Sequence, residues 1–173
     1  DTAERKYVDH GPLPANFEEK PLSEYAGPHG EAYRVAIDPF IRSPWLVRIV
    51  RQGDSYSLIS KQLSGEGAYF LGNVMNEVSR PLTAEEWSQF KTKLTAARFW
   101  SKKTTRVPLV LDSTTYWIEG YSNGKTLSIN RYCLGILPED AKLAEAADFF
   151  LSKSAPPYVF RSGNSLTKHG AIR

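Results

Sequence analysis

A chain of 173 residues with 41% hydrophobic and 12% aromatic side chains suits one folded domain with tails, and it is too apolar for a disordered protein. No run approaches the ~18 consecutive apolar residues of a transmembrane helix, and no charged-then-apolar signal opens the chain, so any signal peptide is expected to have been removed. The net charge is +3, yet the last 21 residues contribute +4 without an acid, which leaves −1 on residues 1–152 and argues against nucleic acid as a partner.

Residues 1–30, with Pro12, Pro14, Pro21 and Pro28 among glycines, are expected to form an extended leader with little helix, its Phe17 to Tyr25 part lying against the body. A single α+β domain is expected over 31–153, and a flexible basic tail over 154–173. Within the domain, period-two patterning predicts strands at Tyr33 to Asp38, Trp45 to Arg51 and Tyr56 to Lys61, the last two joined by a Gly53-Asp54 reversal. Another strand is expected over Tyr69 to Val78, with Gly72 as a bulge. Thr83 and Glu86 have the spacing of a capping box, and Leu82 and Trp87 that of a hydrophobic staple. The helix they open puts Trp87, Phe90, Leu94 and Ala97 on one face.

After that helix, Phe99-Trp100 is expected to wedge into the core, Lys102 to Arg106 to form an exposed basic loop, and Val107 to Leu111 an edge strand. Asn123-Gly124 between Tyr116–Tyr121 and Thr126–Tyr132 predicts a type I′ hairpin that pairs Trp117 with Asn130, Glu119 with Ser128 and Tyr121 with Thr126. A last helix begins near Pro138, runs to Leu151 and stops before Pro156-Pro157, and Tyr158 to Phe160 can dock as a short edge. The expected fold is α+β: an antiparallel sheet of about five or six strands with two helices packed on one face.

Chemistry is thinly signalled. His10, His29 and His169 all fall in the expected leader and tail, so the domain between them has no imidazole to serve as base or metal ligand. Cys133, the only cysteine, reads as an inert core thiol that can make no internal disulfide. The sequence has no phosphate loop, nucleophile elbow or Cys/His metal pair, and no cofactor is expected. Two readings of the hairpin remain. Trp117, Glu119, Tyr121, Ser128 and Asn130 can form an exposed recognition face rich in aromatics, or a helix or the leader can cover its rings as ordinary core. Alternatively, Glu119 with Asp112 can act as a carboxylate pair on glycans.

Leu82-Thr83-Ala84-Glu85-Glu86-Trp87, Phe99-Trp100, Trp117-Ile118-Glu119-Gly120 and Asn130-Arg131-Tyr132 come in an order that resembles a group of uncharacterised exported or lipid-anchored proteins of proteobacteria, over Trp45 to Leu151. The resemblance implies a periplasmic or cell-envelope location and a role in neutralising secreted toxins or inhibiting wall-lytic enzymes. It carries over no catalytic residue. The expectation is therefore a periplasmic binding or inhibitory protein, an immunity protein whose protein partner is a secreted toxic effector. A carbohydrate-active enzyme and a structural envelope component are the alternatives.

Overall fold

The computed structural model describes residues 12–67, 70–102, 113–156 and 158. Six strands form one open antiparallel sheet: β1 (Glu31–Asp38), β2 (Trp45–Gln52), β3 (Ser55–Leu63), β4 (Val74–Pro81), β5 (Thr115–Ser122) and β6 (Lys125–Tyr132), in the spatial order β4-β3-β2-β1-β5-β6. Helix α1 (Leu22–Ala26) precedes the sheet, α2 (Ala84–Ala96) follows β4, and α3 (Ala141–Ser152) follows β6. This is the α+β sheet with two helices on one face that the sequence pattern predicts, with a further layer on the other face.

Both tight hairpins follow from local backbone chemistry. Asn123 and Gly124 have φ of 50° and 72°, the left-handed pair that a two-residue I′ loop needs, and Ser122 pairs with Lys125 across it. The expected pairings Trp117 with Asn130, Glu119 with Ser128 and Tyr121 with Thr126 are all observed. The two-residue turn from β2 to β3 differs: Gly53 alone has a positive φ, 58°.

One sheet face carries Tyr33, Val35, Ile37, Trp45, Val47, Ile49, Leu58, Tyr116, Ile118 and Ile129, buried against α2 and α3. Helix α2 is started by the capping box: Thr83 Oγ1 accepts the Glu86 amide at 3.1 Å, and Glu86 Oε2 accepts the Thr83 amide at 2.9 Å. Its Trp87, Phe90 and Leu94 are buried, and Phe90 meets Phe150 of α3 edge-on at 4.6 Å between centroids.

The opposite face is covered by the chain's own N-terminal segment. From Pro12 onward the expected extended leader folds into a 3₁₀ turn at Ala15–Phe17, then α1. Phe17 is buried against Ala36, Leu46, Leu63 and Trp117, and Leu22 and Ala26 are buried against Ala32 and Tyr121. Small side chains on this face of β1, Ala32 and Ala36, give the segment room to approach. The sheet is thus buried on both sides at its centre.

Several expectations are corrected. The strand placed at Tyr69 to Val78 runs instead over Val74–Pro81, because Ser64 and Gly65 bond back to Asn73 and Leu71, through Ser64 N to Asn73 O (2.9 Å) and Gly65 N to Leu71 O (3.0 Å). Gly72, at φ 72°, belongs to that turn, and the register shift falls at Gln62/Leu63. Phe99 enters the core, but Trp100 stays half outside, since the 3₁₀ turn at Phe99–Ser101 points successive residues in different directions. Lys102 is not a free loop cation: it pairs with Asp140 at 3.1 Å. Cys133 lies one residue beyond β6 with φ 54° and is only partly buried, its Sγ against Ser113 Oγ. The expected strand at Val107 to Leu111, the rest of the basic loop, Tyr69, Asp112, His10, His169 and residues 159–173 lie outside the described residues.

Candidate functional site

Alternation along the strands sets a row of charged residues across the leader-covered face. Glu119 on β5 is opposite Arg34 on β1, Arg34 is opposite Arg48 on β2, and Lys61 on β3 is opposite Glu77 on β4. Three cations side by side on a sheet repel and must be neutralised. The leader does this with one carboxylate, Glu19, whose side chain is 1% exposed. Glu19 accepts from Arg48 Nη1 and from Arg34 Nη1 (3.3 Å), and its other oxygen lies 3.0 Å from Lys61 Nζ in an ion-pair contact outside hydrogen-bond alignment.

Backbone geometry completes the cradle. Glu18 adopts φ 53°, so the Phe17 and Glu18 carbonyls both accept from Lys61 Nζ, at 2.9 and 3.2 Å. Tyr25 of α1 lies 3.4 Å beneath the Arg48 guanidinium carbon, a cation–π contact that stands in for lost water. Arg34 donates Nε to Glu119 and Nη1 to the Lys20 carbonyl at 2.8 Å, while its Nη2 has no partner among the described residues.

Beside this row is a cleft of about 340 Å³, walled by the leader from Pro12 to Ser23 and by Thr126, with Arg34, Glu19 and Glu119 at its base. The five residues expected to form an exposed recognition face are therefore divided. Trp117 and Tyr121 are buried under the leader, Glu119 is largely buried on Arg34, and Ser128 is exposed, its Oγ donating to Glu119 Oε1 at 3.0 Å. Asn130 is partly buried on the same face. The covering is the ordinary-core reading of those aromatics. Glu119 has both oxygens engaged, one by a guanidinium and one by a hydroxyl.

The larger exposed feature was hidden from strand patterning because it is made mostly of loops. β1 ends, β2 begins, β3 ends, β4 begins, β5 begins and β6 ends at one end of the sheet, as the pairs Ile37–Trp45, Trp45–Gln62, Leu63–Val74, Asp38–Thr115 and Thr115–Tyr132 require. Four large apolar side chains are exposed there: Ile41 (74%), Phe70 (66%), Met75 and Ile136. Gly67 ties two of these loops together, since a side chain there would run into the Pro39 and Arg42 carbonyls. The apolar pair Phe40-Ile41 between Pro39 and Pro44 was the available sequence signal.

Comparison with protein-family models, with curated proteins and with solved structures gives no match.

Proposed function

We propose that the protein is a binding protein that neutralises another protein by direct contact, an immunity or inhibitory protein of the bacterial envelope whose partner is a secreted toxic effector. One observation carries the reading: Ile41, Phe70, Met75 and Ile136, most of the large apolar side chains exposed among the described residues, all lie at one end of the sheet, three on its loops and Met75 at the start of β4. Apolar side chains exposed at the end of a two-sided core suit an interface. The hairpin face cannot serve this purpose without displacing the leader, so the contact surface is moved from Trp117 and Tyr121 to the loop end.

The test is calorimetry of the full chain with the toxin encoded beside its gene. Binding at micromolar or tighter Kd is expected, and Ile41→Asp with Phe70→Asp should weaken it by about 100-fold, as loss of a central apolar anchor does. Their melting temperature should not change, because neither side chain is packed. Absence of binding, or binding untouched by the double substitution, overturns the proposal.

The cleft base also supports a second reading, carboxylate chemistry on glycans, because it brings Glu19 and Glu119 together. Both carboxylates sit on the one Arg34 guanidinium, however, which suits a structural ion network better than a proton donor. Glu119→Gln leaving every glycan-cleavage assay unchanged would remove it.

A further inference from the structure

A second concavity, of about 290 Å³, opens at the far end of α2, lined by Lys91, Leu94, Thr95, Arg98, Phe99, Trp100 and Ser101. Four features there are unexplained by folding alone. The first is charge: the lining carries two cations, Lys91 and Arg98, and no acid, although residues 1–152 as a whole are slightly acidic. The second is Arg98, whose side chain is exposed with no hydrogen-bond or ion-pair partner among the described residues.

The third is the backbone beneath it. Arg98 stands just past the C-terminus of α2 with φ 51°, a left-handed position that glycine fills without strain and a β-carbon disfavours. An arginine can complement the helix dipole from neighbouring helical positions, so the dipole does not account for its use at this one. The fourth is Trp100, 41% exposed while Trp45, Trp87 and Trp117 are buried. Its ring makes T-shaped contacts with Phe99 at 5.1 Å and Tyr33 at 6.1 Å, which hold it in place while part of it stays open to solvent. Lys91 completes the wall, held by Glu31 and by the Tyr33 hydroxyl at 2.6 Å, with one of its three protons left over.

From this grouping we infer that the α2 pocket is a binding site for an anionic sugar, a pyranose bearing one carboxylate or phosphoryl group. The apolar face of the ring lies on Trp100, the anion meets Arg98 and the spare proton of Lys91, and the Thr95 and Ser101 hydroxyls are within the same pocket for ring hydroxyls. A bare anion would leave Trp100 unused, and a neutral sugar would leave Arg98 unused. The site is at the opposite end of the sheet from the apolar loops and does not depend on them.

The test is titration of the full chain with glucuronate, glucose 6-phosphate, glucose and inorganic phosphate, followed by calorimetry and tryptophan emission. At least one charged sugar should bind with Kd below about 1 mM, with glucose and inorganic phosphate each at least about ten-fold weaker. Binding by glucuronate alone assigns the anion as a carboxylate, and binding by glucose 6-phosphate alone as a phosphoryl group. Arg98→Gly and Trp100→Ala should each weaken binding about ten-fold or more. Arg98→Gly should do so without lowering the melting temperature, because glycine relieves the left-handed backbone. The inference is overturned by no charged sugar binding, by inorganic phosphate or glucose binding as tightly, or by unchanged affinity in Arg98→Gly.

Discussion

Single residues in this protein are constrained mostly by what lies on top of them. Glu19 is the clearest case, because Arg34, Arg48 and Lys61 all lean on one buried carboxylate. Glu19→Gln keeps the shape and removes the charge, leaving buried cations without their common partner. A loss of about 3–5 kcal/mol in urea unfolding is expected, the range for breaking one side of a buried pair. Glu119→Gln should cost less, since its side chain is more exposed and reaches only Arg34 and Ser128. Equal losses would mean the network is not centred on Glu19. Gly120 is constrained by bulk rather than charge: a β-carbon there would come 2.6 Å from Phe99 Cε1 and 2.9 Å from Tyr33 Cδ1. The glycine in Trp117-Ile118-Glu119-Gly120 is therefore a packing requirement of two rings. Gly120→Ala should destabilise by about 1–3 kcal/mol, as overpacking does, again read by urea unfolding.

At the scale of elements, helix α2 is held to β1 by a polar clasp as well as its apolar stripe. Burial alone would push the Glu31 carboxyl up, but hydrogen bonds from Lys91 and Tyr33 and the charges of Lys91 and Arg51 outweigh it, and the net shift is downward. Burial likewise pulls Lys91 down, and its bonds to Glu31 and Tyr33 more than reverse this, so its net shift is upward. The signs fix the pH dependence. Glu31 contributes stability above its unfolded value of about 4.3 and loses it as pH falls through the lower folded value, whereas Lys91 contributes below about 10.4 and loses it as pH rises through the higher one. Lys91→Met should flatten both limbs of a melting-temperature profile while leaving the rest intact. Elements of this kind were legible where the signal was local. The capping box, the α2 stripe and the Asn123-Gly124 register could be read directly, because each is set by residues within a few positions of one another. The start of β4 was not, because it depends on Gly65 and Gly72 packing against each other's neighbours and on Gly67 meeting the Pro39 and Arg42 carbonyls of another loop, rather than on any period. Glu19 was missed for the same reason: an acid in a proline-rich segment has no pattern that points to Arg34, Arg48 and Lys61 far along the chain.

For the molecule as a whole, the decisive feature is that the N-terminal segment is a layer of the fold. The sheet has α2 and α3 on one side and residues 12–30 on the other, so a boundary at residue 31 would cut through a core. Phe17, fully buried with Ala36, Leu46, Leu63 and Trp117, is the apolar centre of that second layer, and Lys61 fixes its carbonyl and that of Glu18. Removing the Phe17 ring opens a cavity beside the charged row. Phe17→Ala should therefore lower global stability by about 3–5 kcal/mol, the range for deleting a buried aromatic. The loss should appear at the same denaturant midpoint by circular dichroism, which follows the sheet, and by tryptophan emission, which follows Trp117 among others. If the leader were instead an independent strap, Phe17→Ala would release it in a separate early transition, with protease cleavage before Glu31 and no change in the main midpoint. One shared midpoint shifted to lower denaturant is the expected result, because strands and leader neutralise each other's buried charge and neither can leave alone.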